Sequence, residues 1–72
     1  MTDTNLLRKY IEEKGYKLKY VAAYLGLSGY GLSLKLNNVN EFKTSEINKL
    51  CKLLGIQSLQ DKEAIFFKEK DD

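Results

Sequence analysis

The residues from Leu18 to Asn37, LKYVAAYLGLSGYGLSLKLN, space small and apolar side chains as two short helices joined by a tight turn. Val21, Leu25, Leu27, Leu32 and Leu36 supply the apolar contacts between the two helices. Ala22 puts only a methyl group where the helices must approach closely, and Gly26 comes where the chain must turn sharply in a left-handed conformation. Ser28 is placed to cap the second helix, which is expected to run to about Leu36. A short amphipathic helix, a turn containing glycine and a second helix form the order of a helix-turn-helix unit.

The flanking sequence continues in helices. Either Asp3 or Thr4 caps a first helix whose stripe is Leu6, Leu7, Tyr10 and Ile11, and Gly15 stops it. The second helix covers Leu18 to Leu25. Asn37 and Asn38 suit a turn, and residues 37–43 read as a polar loop with Val39 and Phe42 tucked against the core. Thr44 is the expected cap of a fourth helix that buries Ile47, Leu50, Cys51 and Leu54 and ends at Gly55. Ser58 opens a fifth element, with Asp61 standing where a capping box has Glu. Ala64, Ile65, Phe66 and Phe67 are more consecutive apolar residues than one face of a short helix can bury. One phenylalanine is therefore expected in the core and the other at an interface, which fits a homodimer. The chain has no proline and no strand-like alternation. The expectation is an all-α fold, a compact five-helix bundle containing a helix-turn-helix, as one domain over residues 1–67. The charged tail 68–72 is expected to fray.

Several function classes are disfavoured by composition. The 72 residues suffice for one small domain. There is no histidine, so the commonest general base near neutral pH is missing, and the single cysteine, Cys51, lies on an apolar helix face. Gly26, Gly29 and Gly31 form G-x-x-G-x-G after a helix, whereas both phosphate-binding glycine motifs follow a strand. No cluster has metal-ligand spacing. The reading is a protein that is not an enzyme and takes no cofactor or metal. No apolar run approaches a membrane span, and MTDTN carries no secretion signal, so a cytoplasmic protein is expected. The net charge is +2, and the basic bias lies in residues 1–40, with six basic residues against three acidic. That half holds the helix-turn-helix, and the bias suits weak phosphate attraction.

The span from Leu18 to Leu54 resembles the XRE/Cro-like helix-turn-helix family of phage and bacterial regulators. VAAYLGLS, the apolar residue Leu32 and then KLNN carry the resemblance, and EFKTSEINKLCKLLGI looks like the fourth helix of the small phage members. The N-terminal NLLRKYIEEKG and the C-terminal QDKEAIFF are similar to small Cro-position regulators of temperate phages, in particular the modulator-of-repression group of lactococcal phages. The resemblance implies a part in the lysogeny switch of a bacterial host, opposing a CI-type repressor, with nucleoid association if DNA is bound. Where the family often starts helix two with a phosphate-binding Gln, this chain has Leu18. Ser28 is retained at the start of helix three, but Gly29 follows where Arg or Lys is frequent. The next outward positions are Tyr30, Ser33 and Leu34, and Asn37 falls where family members contact the DNA backbone.

Two sets of candidate residues follow. An anti-repressor would bind the DNA-binding domain of a CI-type phage repressor through Leu18, Gly29, Tyr30, Gly31, Ser33 and Leu34. Gly29 and Gly31 would let another chain approach, while Leu18, Tyr30 and Leu34 would converge as apolar anchors. A Cro-like repressor would instead bind operator DNA through Lys17, Lys19, Ser28, Tyr30, Ser33, Lys35, Asn37 and Lys43. For each lysine, solubility is the plainer explanation. Both activities can coexist in a joint complex on the operator. A third reading is a small helical interaction domain with no link to DNA. Tyr10, Tyr16, Tyr20 and Tyr24 are expected in partly buried helix packing rather than as a stacking platform for single strands.

Overall fold

Asp3 fixes where the first helix begins. Its carboxylate accepts the Leu6 N–H at 3.1 Å, satisfying one of the donors a helix start leaves unpaired. The computed structural model describes residues 1–68 and contains five helices. Helix α1 (Thr4–Glu13) buries Leu7 and Ile11, with Leu6 and Tyr10 packed at the edge of the core. Helix α2 (Leu18–Leu25) ends at Gly26, whose φ of 72° is the left-handed conformation the turn requires. There the Leu27 N–H reaches back to the Ala22 carbonyl at 2.9 Å and closes the helix end. Helix α3 (Gly29–Leu36) follows at once, with Ser28 Oγ accepting the Gly31 N–H at 2.9 Å. Helices α4 (Thr44–Leu54) and α5 (Leu59–Phe66) complete the chain, and Ser58 Oγ caps α5 by accepting the Asp61 N–H at 3.0 Å.

The core runs through all five helices. Leu7, Val21, Leu32, Leu36, Leu50 and Ile65 are its fully buried side chains. Helix α2 packs on α3 and α4, and α1 packs on α5. Phe42, from the loop before α4, meets Phe66 of α5 edge to face at 6.2 Å between ring centres, a favoured aromatic geometry. The first residues are tied to α5 and to the turn after α3, since the Asp3 N–H donates to the Ile65 carbonyl and the Asn38 side-chain amide donates to the Thr2 carbonyl. Among the described residues there is no strand, and no helix is long and apolar enough to cross a membrane.

Three expectations need correction. Thr44 does not cap α4. It is the first helical residue, and the carboxylate of Glu46 reaches back to accept the Lys43 N–H at 2.8 Å. Val39 is exposed rather than tucked in, because left-handed backbone at Asn38 (φ 58°) turns the chain outward there, and Phe42 alone of the pair joins the core. Ile47 is only half-buried; Glu46 takes its place among the buried side chains of α4. The apolar run of α5 is no correction: Ile65 and Phe66 are buried while Ala64 and Phe67 are exposed, so one phenylalanine is in the core and the other is outside it. The tail reading beyond Lys68 lies outside the described residues.

Candidate functional site

Helices α2 and α3 share one surface built around the turn at Gly26. Tyr30, one residue into α3, is 75% exposed, and Leu18, at the start of α2, is 43% exposed. Gly29 and Ser33 are also exposed on α3, whereas Gly31 and Leu34 are half-buried. The expected convergence of three apolar anchors therefore reduces to Leu18 and Tyr30, because the rotation of α3 turns Leu34 partly inward. Between the two helices lies a groove of about 440 Å³. Ala22, Leu32 and Leu36 floor it, Leu18 and Leu27 wall it, and Gly29 and Ser33 form its α3 side. Arg8 of α1 and Lys19 of α2 are the charged residues that line it.

Lys35 is the main correction among the DNA candidates. As a candidate phosphate contact it should be exposed, yet it is 7% exposed and its ammonium is paired with the Glu46 carboxylate in α4. The Phe42 ring lies 5.9 Å from the same nitrogen. A buried ammonium is tolerable only with such partners. Burial alone pushes the Glu46 carboxyl upward. The hydrogen bonds from Lys35 Nζ and the Lys43 N–H outweigh it and hold the carboxyl below its ordinary range. The remaining DNA candidates are at the surface: Lys17, Lys19, Ser28, Asn37 and Lys43 are all exposed. Ser28 spends a lone pair on its cap and keeps its hydroxyl proton free to donate. The Asn37 amide lies 3.4 Å from Ser33 Oγ, so those two candidates stand side by side.

Lys35 is the only charged residue of α3. With its ammonium drawn into the core, the outward face of α3 offers hydroxyls, glycine backbone and an aromatic ring. Exposed lysines stand to either side, Lys17 and Lys19 at the start of α2 and Lys43 before α4. Among the described residues this surface holds lysine, tyrosine and serine side chains and no carboxylate, histidine or cysteine beside the groove. Cys51 is buried, and burial raises its thiol above the ordinary range, which makes it a poor nucleophile.

Three features escaped the sequence. Arg8 lines the groove from α1, and nothing local in its sequence points there. Glu46 sits four residues before Leu50, on the buried stripe of α4, and that spacing was its signal. The tyrosines of α2 are not packing residues throughout. Tyr20 is 51% exposed and Tyr24 is exposed as well, and Tyr16, Tyr20 and Tyr24 form a ladder with ring centres 5.3 and 6.5 Å apart. Their spacing of one helical turn was the available signal. Tyr10 packs against the core as expected.

Residues 3–69 match the model of the DUF739 family, described as proteins of unknown function. No curated protein and no solved structure shows significant similarity to the chain.

Proposed function

The chain belongs to the DUF739 family, and we propose that this member is a phage-type transcriptional regulator that acts as an anti-repressor. Its α2–turn–α3 unit is a helix-turn-helix of the XRE/Cro-like kind, a reading supported by the left-handed Gly26, the Ser28 cap and the close approach at Ala22. Through the face around Tyr30 it binds the DNA-binding domain of a CI-type repressor, occludes the repressor's recognition helix and weakens its hold on the operator. The protein works in the cytoplasm of the bacterial host.

The observation that carries this reading is the state of α3. Direct readout of bases draws on Arg, Lys, Asn and Gln. This helix has none of them outward, because its one charged side chain is committed to Glu46. What it does present is a tyrosine three-quarters exposed, flanked by glycine and serine. Tyrosine anchors with small neighbours suit a protein interface, where a ring can be desolvated without side-chain entropy being lost around it.

The test is to titrate the purified protein against the labelled repressor DNA-binding domain and, in parallel, against operator duplex. Tight repressor binding is expected, with only weak duplex binding that fades as salt rises and ignores sequence. Tyr30→Glu should weaken the repressor complex at least about tenfold while leaving thermal stability unchanged. Operator-specific binding without a repressor complex would replace this reading with a Cro-like repressor working through Lys17, Lys19, Ser28 and Lys43.

A further inference from the structure

We infer that the groove between α2 and α3 receives one large apolar side chain from a protein partner, flanked on that partner by carboxylates that meet Arg8 and Lys19. The reading of the partner as a repressor domain supplies its identity. The groove supplies the chemistry of what enters it.

The floor is apolar and lies just below the surface, since Ala22, Leu32 and Leu36 are almost fully buried yet face the recess. About 440 Å³ is ample for a leucine or phenylalanine side chain. The charge lining it has one sign, with Arg8 and Lys19 present and no acidic side chain. That sign excludes a second copy entering through the same face, because the cations of both chains would be brought together. It equally favours carboxylates beside the entering anchor. A DNA phosphate would satisfy the cations but leave the apolar recess empty, so a protein segment fits both features where nucleic acid fits one.

Gly29 gives the independent indication. Its backbone is ordinary right-handed helix, and a side chain built there would meet nothing within 4 Å. Neither the local backbone nor the packing of this chain calls for glycine at that position. The missing side chain keeps the α3 wall of the groove open to whatever enters from outside.

The experiment uses the full chain with labelled methyl groups, titrated with the repressor DNA-binding domain, with a synthetic helical peptide carrying Leu flanked one turn away by Glu, and with operator duplex. The expected result is that the repressor domain and the peptide both shift the methyl signals of Ala22, Leu32 and Leu36, which line the groove. Gly29→Leu should fill the recess, keep or raise the melting temperature and weaken repressor binding at least about tenfold. Arg8→Gln with Lys19→Gln should weaken both complexes and flatten their salt dependence. Repressor binding that Gly29→Leu leaves intact would overturn the groove assignment while the anti-repressor reading stands. Peptide insertion without repressor binding would keep the groove assignment and remove the anti-repressor reading. Floor methyl groups silent to both probes, or shifted by duplex alone, would overturn the inference.

Discussion

A lysine on the inward side of a helix is tolerated only if its ammonium is met, and Lys35 is met by the Glu46 carboxylate and by the face of Phe42. The pair fixes α3 against α4, and with it the direction in which Tyr30 points. Removing one partner leaves a buried charge behind, which is worse than removing both. Lys35→Met should therefore destabilise the fold by about 3 kcal/mol. Adding Glu46→Gln to it should restore more than half of that, because the amide oxygen can still accept the Lys43 N–H. Urea denaturation of the wild type, both single variants and the double variant gives the coupling between the two residues. Additive effects would show that the pair does not act as a unit. The position of Lys35 was legible in principle. It lies three residues after Leu32, on the buried stripe, and Glu46 lies four residues before Leu50, on the buried stripe of α4. It was read as a surface group because a charged residue in a short helix is usually exposed, and only the facing carboxylate overturns that expectation.

At the scale of the helices, the boundaries that could be read from sequence are those set by a single residue's own chemistry. Gly26 ends α2, Ser28 caps α3 and Ser58 caps α5, and each acts through its own backbone or side chain. The start of α4 was misplaced because its unpaired donor is satisfied by Glu46 from within the helix, not by the residue in front of it. The exposure of Tyr20 and Tyr24 was hidden for a different reason. LKYVAAYL has one charged residue, so its sequence shows no polar face from which the rotation of α2 could be taken. The groove was harder still to read, since its α1 member Arg8 is brought to α2 and α3 only by tertiary packing. The two glycines at the ends of this unit make a contrast that tests the local account. Gly26→Ala forces a β-carbon into left-handed backbone and should cost about 1 kcal/mol. Gly29→Ala replaces glycine in ordinary helix with open space around it and should stabilise by up to about 1 kcal/mol. Thermal unfolding of both variants should move the midpoint in opposite directions. A loss of stability in Gly29→Ala would mean that the fold itself demands that glycine.

For the whole molecule, two carboxylates join elements that are distant in sequence. Asp3 caps α1 and lies 3.4 Å from Lys68, while its N–H joins the end of α5. Glu46 joins α3 to α4. The Leu6 N–H, foremost, draws the Asp3 carboxyl below its ordinary value of 3.8; burial opposes it, and Lys68 adds to the lowering. Glu46 is likewise held below 4.5, its two hydrogen bonds prevailing over burial. A carboxyl whose folded value is depressed contributes stability that is complete above its unfolded value and is lost as pH falls through the folded one. Both contributions therefore have the same sign and fade in the same acidic window, below about pH 4.5. The chain has no histidine, so no imidazole alters stability between roughly pH 5 and pH 8. The melting temperature followed by circular dichroism should be level across that range and fall steeply below it. Asp3→Asn should keep the plateau, because Asn caps as well as Asp, and should make the acid limb shallower. Glu46→Gln should lower the plateau as well as flatten the limb, because it leaves Lys35 buried without its counter-charge. An acid limb unchanged in both variants would place the sensitive carboxylates elsewhere in the chain.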